Sequence, residues 1–103
     1  MSAATTPPTC AASDIIRVAH NSRTVAVAGA IAGVIRDCCR AEVQAIGAGA
    51  VNTAAKAIAT ATKYMEPEGV ILSSRILFVE VDIDGQQRTA LRFLVDAWPA
   101  TLG

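Results

Sequence analysis

The sequence predicts a two-layer α/β sandwich in which two helices cover one face of a four-stranded mixed sheet. Short β-branched or alternating runs recur along the chain, and two longer segments carry apolar residues at spacings of three and four. Glycine or proline stands at most of the joints between these segments. In chain order they give β-α-β-α-β-β. A length of 103 residues suits one such domain and is too short for two.

We assign residues 14–97 to this single domain and expect a tail at each end. Residues 1–13 are rich in Ala, Ser, Thr and Pro, a composition typical of a disordered tail. Residues 98–103 follow the last strand and carry the only tryptophan, Trp98. Because an exposed indole ring is unfavourable, Trp98 is expected to pack on its own domain or on a neighbouring subunit.

The first strand and the first helix follow the N-terminal tail. Residues 15–19 form a short β-branched run, which is typical of a strand. A polar connection follows, with Ser22 or Thr24 as the candidate N-cap of a helix over residues 25–39. One apolar stripe predicts this helix, and its members are Val27, Ile31, Val34, Ile35 and Cys38.

Two pairs of glycines mark places where the backbone is expected to approach a neighbour. Gly29 and Gly33 lie four residues apart on the first helix, which favours close packing on the sheet or on another helix. Gly47 and Gly49 form a tight turn after a second strand over residues 41–46. The free amides of the following helix suit an anion such as phosphate. A strand-to-helix turn packed against its neighbours explains the same glycines.

The second helix is predicted over residues 50–65, and Pro67 and Gly69 are expected to end it. Its expected apolar stripe consists of Val51, Ala55, Ile58, Thr62 and Met65. Because a helix joins the first two strands, we expect these strands to be parallel neighbours with a right-handed crossover.

The remaining strands, over residues 70–83 and 88–97, form a hairpin. A two-residue turn would set the apolar face of one strand beside the polar face of the other. We therefore predict a three-residue loop with Gly85 in a bulge. This register places Arg88 opposite Glu80, most simply as a cross-strand ion pair on a solvated face.

Composition excludes several classes of protein. Nine Lys and Arg residues balance nine Asp and Glu residues, so the net charge is zero, which argues against tight non-specific binding of duplex DNA. No apolar run approaches the roughly 18 residues needed to span a bilayer, and the N-terminus lacks the features of a signal peptide. We therefore expect a cytoplasmic protein with no membrane partner.

The sequence predicts no metal, cofactor or catalytic site. The three cysteines, with Cys38 and Cys39 adjacent, are expected to be ordinary thiols, and His20 is the only histidine. No nucleophile has a base that the sequence pairs with it. The turn at Gly47 and Gly49 lacks both the Gly-Lys-Ser/Thr of a phosphate-binding loop and the dinucleotide spacing. We therefore expect that the protein is not an enzyme.

Three runs of the chain closely resemble the stage V sporulation protein S family: residues 24–35, 42–52 and 81–90. The resemblance extends over residues 15–95, and the middle run is specific enough to support a family assignment. That family is similar in fold to the Alba group of dimeric chromatin and RNA-binding proteins. The resemblance therefore implies an Alba-like fold with the same β-α-β-α-β-β order. It also implies a nucleic-acid-binding regulator of sporulation or development.

The resemblance to Alba proteins implies nucleic-acid contacts in the first strand-to-helix loop, at the start of the second helix and on the hairpin. The corresponding residues here are Asn21, Ser22, Arg23, Gly47, Ala48, Gly49, Asn52, Lys56 and Arg88. Gly49 and Thr53 stand where Alba proteins tend to carry basic residues, and the hairpin is acidic through Asp82 and Asp84. With so few cations, binding is expected to be weak.

A partly apolar sheet face with no helix on it predicts self-association. The residues expected at the contact between subunits are Phe78, Arg92, Leu94 and Trp98. The favoured function is thus a small RNA- or DNA-binding regulator that acts as a homodimer or a larger assembly. The alternative is a structural self-assembly module that uses protein contacts without nucleic acid.

Overall fold

The computed structural model describes residues 14–100. Its elements are β1 (Ile15–Val18), α1 (Thr24–Cys38), β2 (Arg40–Ala45), α2 (Ala48–Met65), a single 3-10 turn (Glu66–Glu68), β3 (Val70–Ile83) and β4 (Gln86–Pro99). The β-α-β-α-β-β order with two helices and a four-stranded sheet confirms the predicted fold class. The tail expected over residues 1–13 lies outside the described residues.

The four strands form one mixed sheet in the order β1-β2-β4-β3. β1 and β2 are parallel, with Ile15 opposite Glu42 and Val18 opposite Ala45, which confirms the expected pairing of the first two strands. β4 runs antiparallel to both β2 and β3. β3 therefore stands at one edge of the sheet, and its outer side has no strand partner among the described residues.

The core lies between the two helices and one face of β1, β2 and β4. Its largest fully buried side chains are Ile31, Val43, Met65 and Val95. α2 buries mainly small residues, namely Ala50, Thr53, Ala54, Ala57, Ala61 and Met65. The stripe predicted for α2 is therefore partly wrong, since Ala55 is exposed. Alanine fits both a buried and an exposed position, so its spacing identifies the buried face poorly.

The start of α1 and its glycine face differ from the prediction. Arg23 occupies the N-cap position without a side-chain cap, so neither Ser22 nor Thr24 has that role. A Cβ atom added at Gly29 or Gly33 would meet no described atom within 4 Å outside the neighbouring backbone of α1. The expected close packing of this glycine face against the sheet or α2 is therefore wrong within the protomer.

The turn between β3 and β4 has two residues rather than three. Ile83 pairs directly with Gln86, and the turn residues Asp84 and Gly85 have φ angles of 53° and 80°. Positive φ at both positions is the signature of a type I′ turn, whose twist matches that of the flanking strands. The predicted three-residue loop with a bulge is wrong.

The two-residue turn changes every cross-strand pair of the hairpin. Arg88 lies opposite Val81, and Glu80 lies opposite Thr89, whose hydroxyl donates a 3.0 Å hydrogen bond to Glu80 Oε2. The predicted pairing of Arg88 with Glu80 is therefore wrong. No residue of β3 is fully buried, so burial does not select one face of that strand, and the turn sets the register instead.

β4 continues to Pro99, so Trp98 belongs to the sheet and not to a tail. Trp98 pairs with Ile71, and its indole N–H donates a 2.7 Å hydrogen bond to Ser73 Oγ. The ring is still 55% exposed. Trp98 is therefore attached to its own sheet while keeping a large apolar surface exposed.

The adjacent cysteines Cys38 and Cys39 differ in state. Cys39 ends α1 in the left-handed conformation with a φ of 64°, and its thiol is free and exposed. Cys38 takes part in a disulfide bond. The expectation of ordinary thiols therefore holds for Cys39 and is wrong for Cys38.

Candidate nucleic-acid interface

Three segments predicted to contact nucleic acid emerge at one end of the sheet. Because β1 and β2 are parallel, with Val18 opposite Ala45, the loops that follow them leave from the same edge. The pairing of β4 with β2 stops at Leu91, opposite Ala45. Residues 79–90 therefore extend past the end of β2 as a two-stranded projection, which we call the arm. The fold thus brings the first loop, the glycine turn and the arm to the same end.

The β1–α1 loop is shaped by Ser22. Ser22 N–H donates to the carbonyl oxygen of Ala19 at 3.0 Å, and Ala19 N–H donates to Ser22 Oγ at 2.9 Å. The hydroxyl group of Ser22 is therefore used to close the loop. Asn21 and Arg23 on either side are exposed, and Arg23 has no ion-pair partner among residues 14–100. Arg23 is thus the free cation of this loop.

The glycine turn joins β2 to α2 and also contacts the first loop. Gly47 is the N-cap of α2, with a φ of 92° that favours glycine, and α2 begins two residues earlier than predicted, at Ala48. A Cβ atom added at Gly49 would lie 3.1 Å from His20 Cβ. Gly49 therefore serves the packing of the turn against the β1–α1 loop, while Gly47 and Ala48 are exposed beside it.

Lys56 and Arg88 supply the other two predicted cations. Lys56 is exposed on α2, roughly two turns after the first residue of that helix, on the same side as exposed Asn52. Arg88 is exposed on the arm. Neither has an ion-pair partner in the described part of the chain.

Two arginines at the opposite end of the sheet are neutralised by carboxylates. Arg36 Nη2 lies 2.8 Å from Glu68 Oε2, and Arg40 Nε lies 2.7 Å from Asp96 Oδ1. The hydrogen bond from Arg36 lowers the pKa of the Glu68 carboxyl group. Among the described residues, Arg23, Lys56 and Arg88 therefore keep their charge unpaired, although the arm also carries the exposed acids Glu80, Asp82 and Asp84.

The four residues predicted at the subunit contact do not share one surface. Arg92, Leu94 and Trp98 lie on the sheet face that faces away from the helices, which we call the open face. Phe78 pairs with Leu91, which packs against the core, so Phe78 lies on the opposite face and is 75% exposed. Phe78 therefore does not lie on the open face with the other three residues, and the contact of these residues with a second subunit stays a prediction.

Arg92 is held within its own chain. Its Nη2 atom donates a hydrogen bond to Gln44 Oε1, and its Nη1 atom lies 3.8 Å from Glu42 Oε1. Its Nε atom is buried and has no hydrogen-bond partner among residues 14–100. Gln44 in turn lies between Arg17 and Arg92 in the sheet, so the three form a polar row across β1, β2 and β4.

Arg17 and Gln44 were missing from the predicted site residues, and Arg92 was predicted only at the contact between subunits. Arg17 and Gln44 each alternate with core residues along a strand, a pattern that indicates the face away from the helices. The pattern does not reveal which strands are neighbours, so the sequence does not show that Arg17, Gln44 and Arg92 meet. In the described residues, no helix is both long and apolar enough to cross a membrane, and no cluster of three or more His, Cys, Asp or Glu side chains is arranged to hold a metal ion.

Residues 14–98 match the family described as Stage V sporulation protein S (SpoVS). The match includes all three segments at the loop end of the sheet and nearly all of β4. It agrees with the resemblance carried by residues 24–35, 42–52 and 81–90. The chain belongs to the stage V sporulation protein S family, a family of small sporulation-related proteins.

Proposed function

We propose that this sporulation-related protein binds RNA or DNA as a homo-oligomer and acts as a regulator through binding rather than catalysis. The observation that carries the proposal is the set of exposed cations Arg23, Lys56 and Arg88, which have no ion-pair partner within the described part of the chain. They lie on the β1–α1 loop, on α2 and on the arm, which all begin at the same end of the sheet. Positive groups of this kind contact phosphates without reading a base sequence.

The same observation limits the strength of binding. Each phosphate contact on duplex DNA contributes about 0.9 to the slope of log affinity against log salt, and about 0.7 on a single strand. Three contacts per protomer therefore give a slope of roughly 2 to 3, far below that of a strongly basic protein. Assembly of protomers multiplies the contacts, so the homo-oligomer is part of the proposal.

A self-assembly module that needs no nucleic acid is the second candidate, and β3 favours it. Ile76 is 58% exposed and Phe78 is 75% exposed on this edge strand. Its outer side also presents backbone N–H and C=O groups without a strand partner in the described chain. An exposed apolar edge of this kind favours strand pairing with another copy. This candidate predicts large assemblies in the absence of nucleic acid.

Sedimentation velocity distinguishes the two candidates. Nuclease-treated protein is measured alone and with a labelled single-stranded RNA or DNA duplex, at low and at high salt. We expect the nucleic acid to raise the sedimentation coefficient at low salt and high salt to reverse the change. Absence of any salt-sensitive binding contradicts the proposal, and large particles that ignore nucleic acid support the second candidate.

Matched charge variants test the residues. Arg88→Ala is expected to lower the salt slope by about one, the loss of one phosphate contact. Lys63→Ala removes the same charge from the last turn of α2, at the other end of that helix. We expect Lys63→Ala to leave the slope unchanged. Equal effects of the two substitutions would show that binding depends only on net charge.

A further inference from the structure

A cleft of about 500 Å³ opens on the open face, between the arm and the end of β1. The polar row Arg17, Gln44 and Arg92 lines it, and Val81 and Ile83 of the arm form part of its wall. None of the residues predicted to contact nucleic acid lines this cleft. Its volume lies in the usual range for small-molecule sites.

The cleft contains guanidinium donors that have no partner among residues 14–100. Arg17 is exposed and has no hydrogen-bond or ion-pair partner among the described residues. Arg92 donates to Gln44 and lies near Glu42, but the 3.8 Å separation from that carboxylate is too long for a hydrogen bond. Glu42 therefore offsets part of the charge of Arg92, and Arg17 is left uncompensated.

Register places the two guanidinium groups on either side of one point. Arg17 and Arg92 are both direct neighbours of Gln44, on β1 and β4 respectively. With strands about 4.8 Å apart, their Cα atoms lie roughly 10 Å from each other. Both side chains are long and emerge on the same face, so an anion above Gln44 is within reach of both. One guanidinium group can donate two parallel hydrogen bonds to the oxygen atoms of a phosphate, so both arginines can bind the same anion.

The arm gives the cleft an apolar side. Val81 and Ile83 lie on the open face, and Asp82, whose register position is on the other face of the arm, also lines the cleft. Asp82 Oδ1 accepts a 3.0 Å hydrogen bond from Gly85 N–H, so this carboxylate is bonded to the backbone of the turn. The ligand that fits has an anionic group at one end and a flat apolar group at the other.

We propose that this cleft binds a nucleoside phosphate. The phosphate lies above Gln44 between Arg17 and Arg92, and the base packs against Val81 and Ile83. The inference goes beyond the proposed function, because it rests on the cleft and not on the cations of the loops. The phosphate belongs either to a free nucleotide or to the phosphorylated end of a strand, since both present the same chemistry.

Isothermal titration of the full chain with AMP tests the proposal, with adenosine as the ligand that lacks the phosphate. We expect AMP to bind more tightly than adenosine. Arg17→Gln is expected to weaken AMP binding about tenfold or more, the loss of a charged hydrogen bond. Arg75→Gln is the matched control, since Arg75 lies on the open face opposite Leu94 and outside the cleft. It should change the affinity less than about twofold.

Two results would overturn the proposal: AMP that binds no better than adenosine, or equal affinities for Arg17→Gln and Arg75→Gln. Arg17 is exposed, so the Arg17→Gln variant should fold. In the unmodified protein, AMP should also shift the NMR resonances of the Gln44 side-chain amide, which gives a second measurement at the site. Their absence at saturating AMP also counts against the proposal.

Competition identifies the source of the phosphate. A 5′-phosphorylated oligonucleotide that displaces AMP, when its 5′-hydroxyl counterpart does not, identifies a strand end as a ligand. Failure of both to compete, with AMP still bound, identifies a free nucleotide. The 5′-hydroxyl strand also tests the loop cations. If this strand does not bind at all while AMP still binds, the result contradicts the proposed function and leaves the cleft proposal standing.

Discussion

Arg92 donates a hydrogen bond from Nη2 to Oε1 of Gln44, its direct neighbour on the adjacent strand. Gln44 is only 8% exposed, although it lies on the face away from the helices. Its direct neighbours in the sheet are Arg17 on β1 and Arg92 on β4. The pair shows that the open face is neither bare surface nor apolar core, because a buried polar contact organises its centre.

Gln44→Leu is expected to lower the free energy of unfolding by about 1 to 3 kcal/mol, because it leaves a partly buried charged donor without its acceptor. In an Arg92→Leu background the same substitution should cost clearly less, since the donor is gone. Urea unfolding of the four proteins of this double-mutant cycle measures the difference. Additive effects of the two substitutions would show that the hydrogen bond contributes nothing to stability.

Gly85→Ala is expected to destabilise the arm by about 1 to 2 kcal/mol, because alanine disfavours the positive φ that this turn position requires. Asp84→Asn should have little effect, since asparagine tolerates the left-handed conformation and suits a type I′ turn. Amide hydrogen exchange in residues 79–90 measures the change locally.

Nuclear Overhauser contacts test the register of the same hairpin. They should connect Glu80 with Thr89 and Val81 with Arg88. Contacts that identify Glu80 and Arg88 as direct partners would support the predicted three-residue loop and contradict the two-residue turn.

Gly33→Ala is expected to raise the free energy of unfolding by about 1 kcal/mol, because alanine is favoured over glycine inside a helix and its Cβ meets open space. Thermal or urea unfolding measures the gain. The sedimentation coefficient should stay the same. A loss of oligomer mass would instead show that the glycine face of α1 packs against another subunit.

Phe78→Ser is expected to reduce the mass of the proposed homo-oligomer, because it removes an exposed apolar side chain from the β3 edge. Val25→Ser is the matched control, since Val25 is 63% exposed but lies on α1. Sedimentation equilibrium compares the two variants. The reverse pattern, with mass lost only in Val25→Ser, would assign the contact to the helices.

Glu68→Gln is expected to lower the melting temperature at neutral pH by no more than roughly a few degrees, because its ion pair with Arg36 is exposed. The pKa of Glu68 in the folded protein lies below its ordinary value of 4.5. The stabilisation from ionised Glu68 is therefore present above pH 4.5 and is lost as the pH falls through the lowered pKa. The melting temperatures of the unmodified and variant proteins should therefore converge in acid, as measured by thermal unfolding. A difference in melting temperature that persists in acid would show that the ion pair is not its cause.

Local signals predicted much of the fold and part of the candidate site. The apolar stripe starting at Val27 identified α1, and the glycines at 47 and 49 identified the turn into α2. The loop that contains Arg23 was also placed correctly. These features depend on residues close together in the chain, where spacing and backbone conformation carry the information.

The hairpin shows how such reasoning fails. The alternation of Leu77, Val79 and Val81 predicts an apolar face on β3, and matching it with the apolar face of β4 requires a three-residue loop. The Asp84-Gly85 pair by itself favours a two-residue type I′ turn. Because the arm extends beyond the core, its apolar alternation was a weaker guide to register than its turn.

The sequence by itself determined the order of elements, the parallel pairing of β1 and β2, and the glycine turn into α2, because these follow from short-range patterns and chain connectivity. Only the tertiary structure decided that β4 inserts between β2 and β3. That placement sets Arg17, Gln44 and Arg92 side by side and leaves β3 as the exposed edge. It depends on pairing between residues tens of positions apart, which no local pattern specifies.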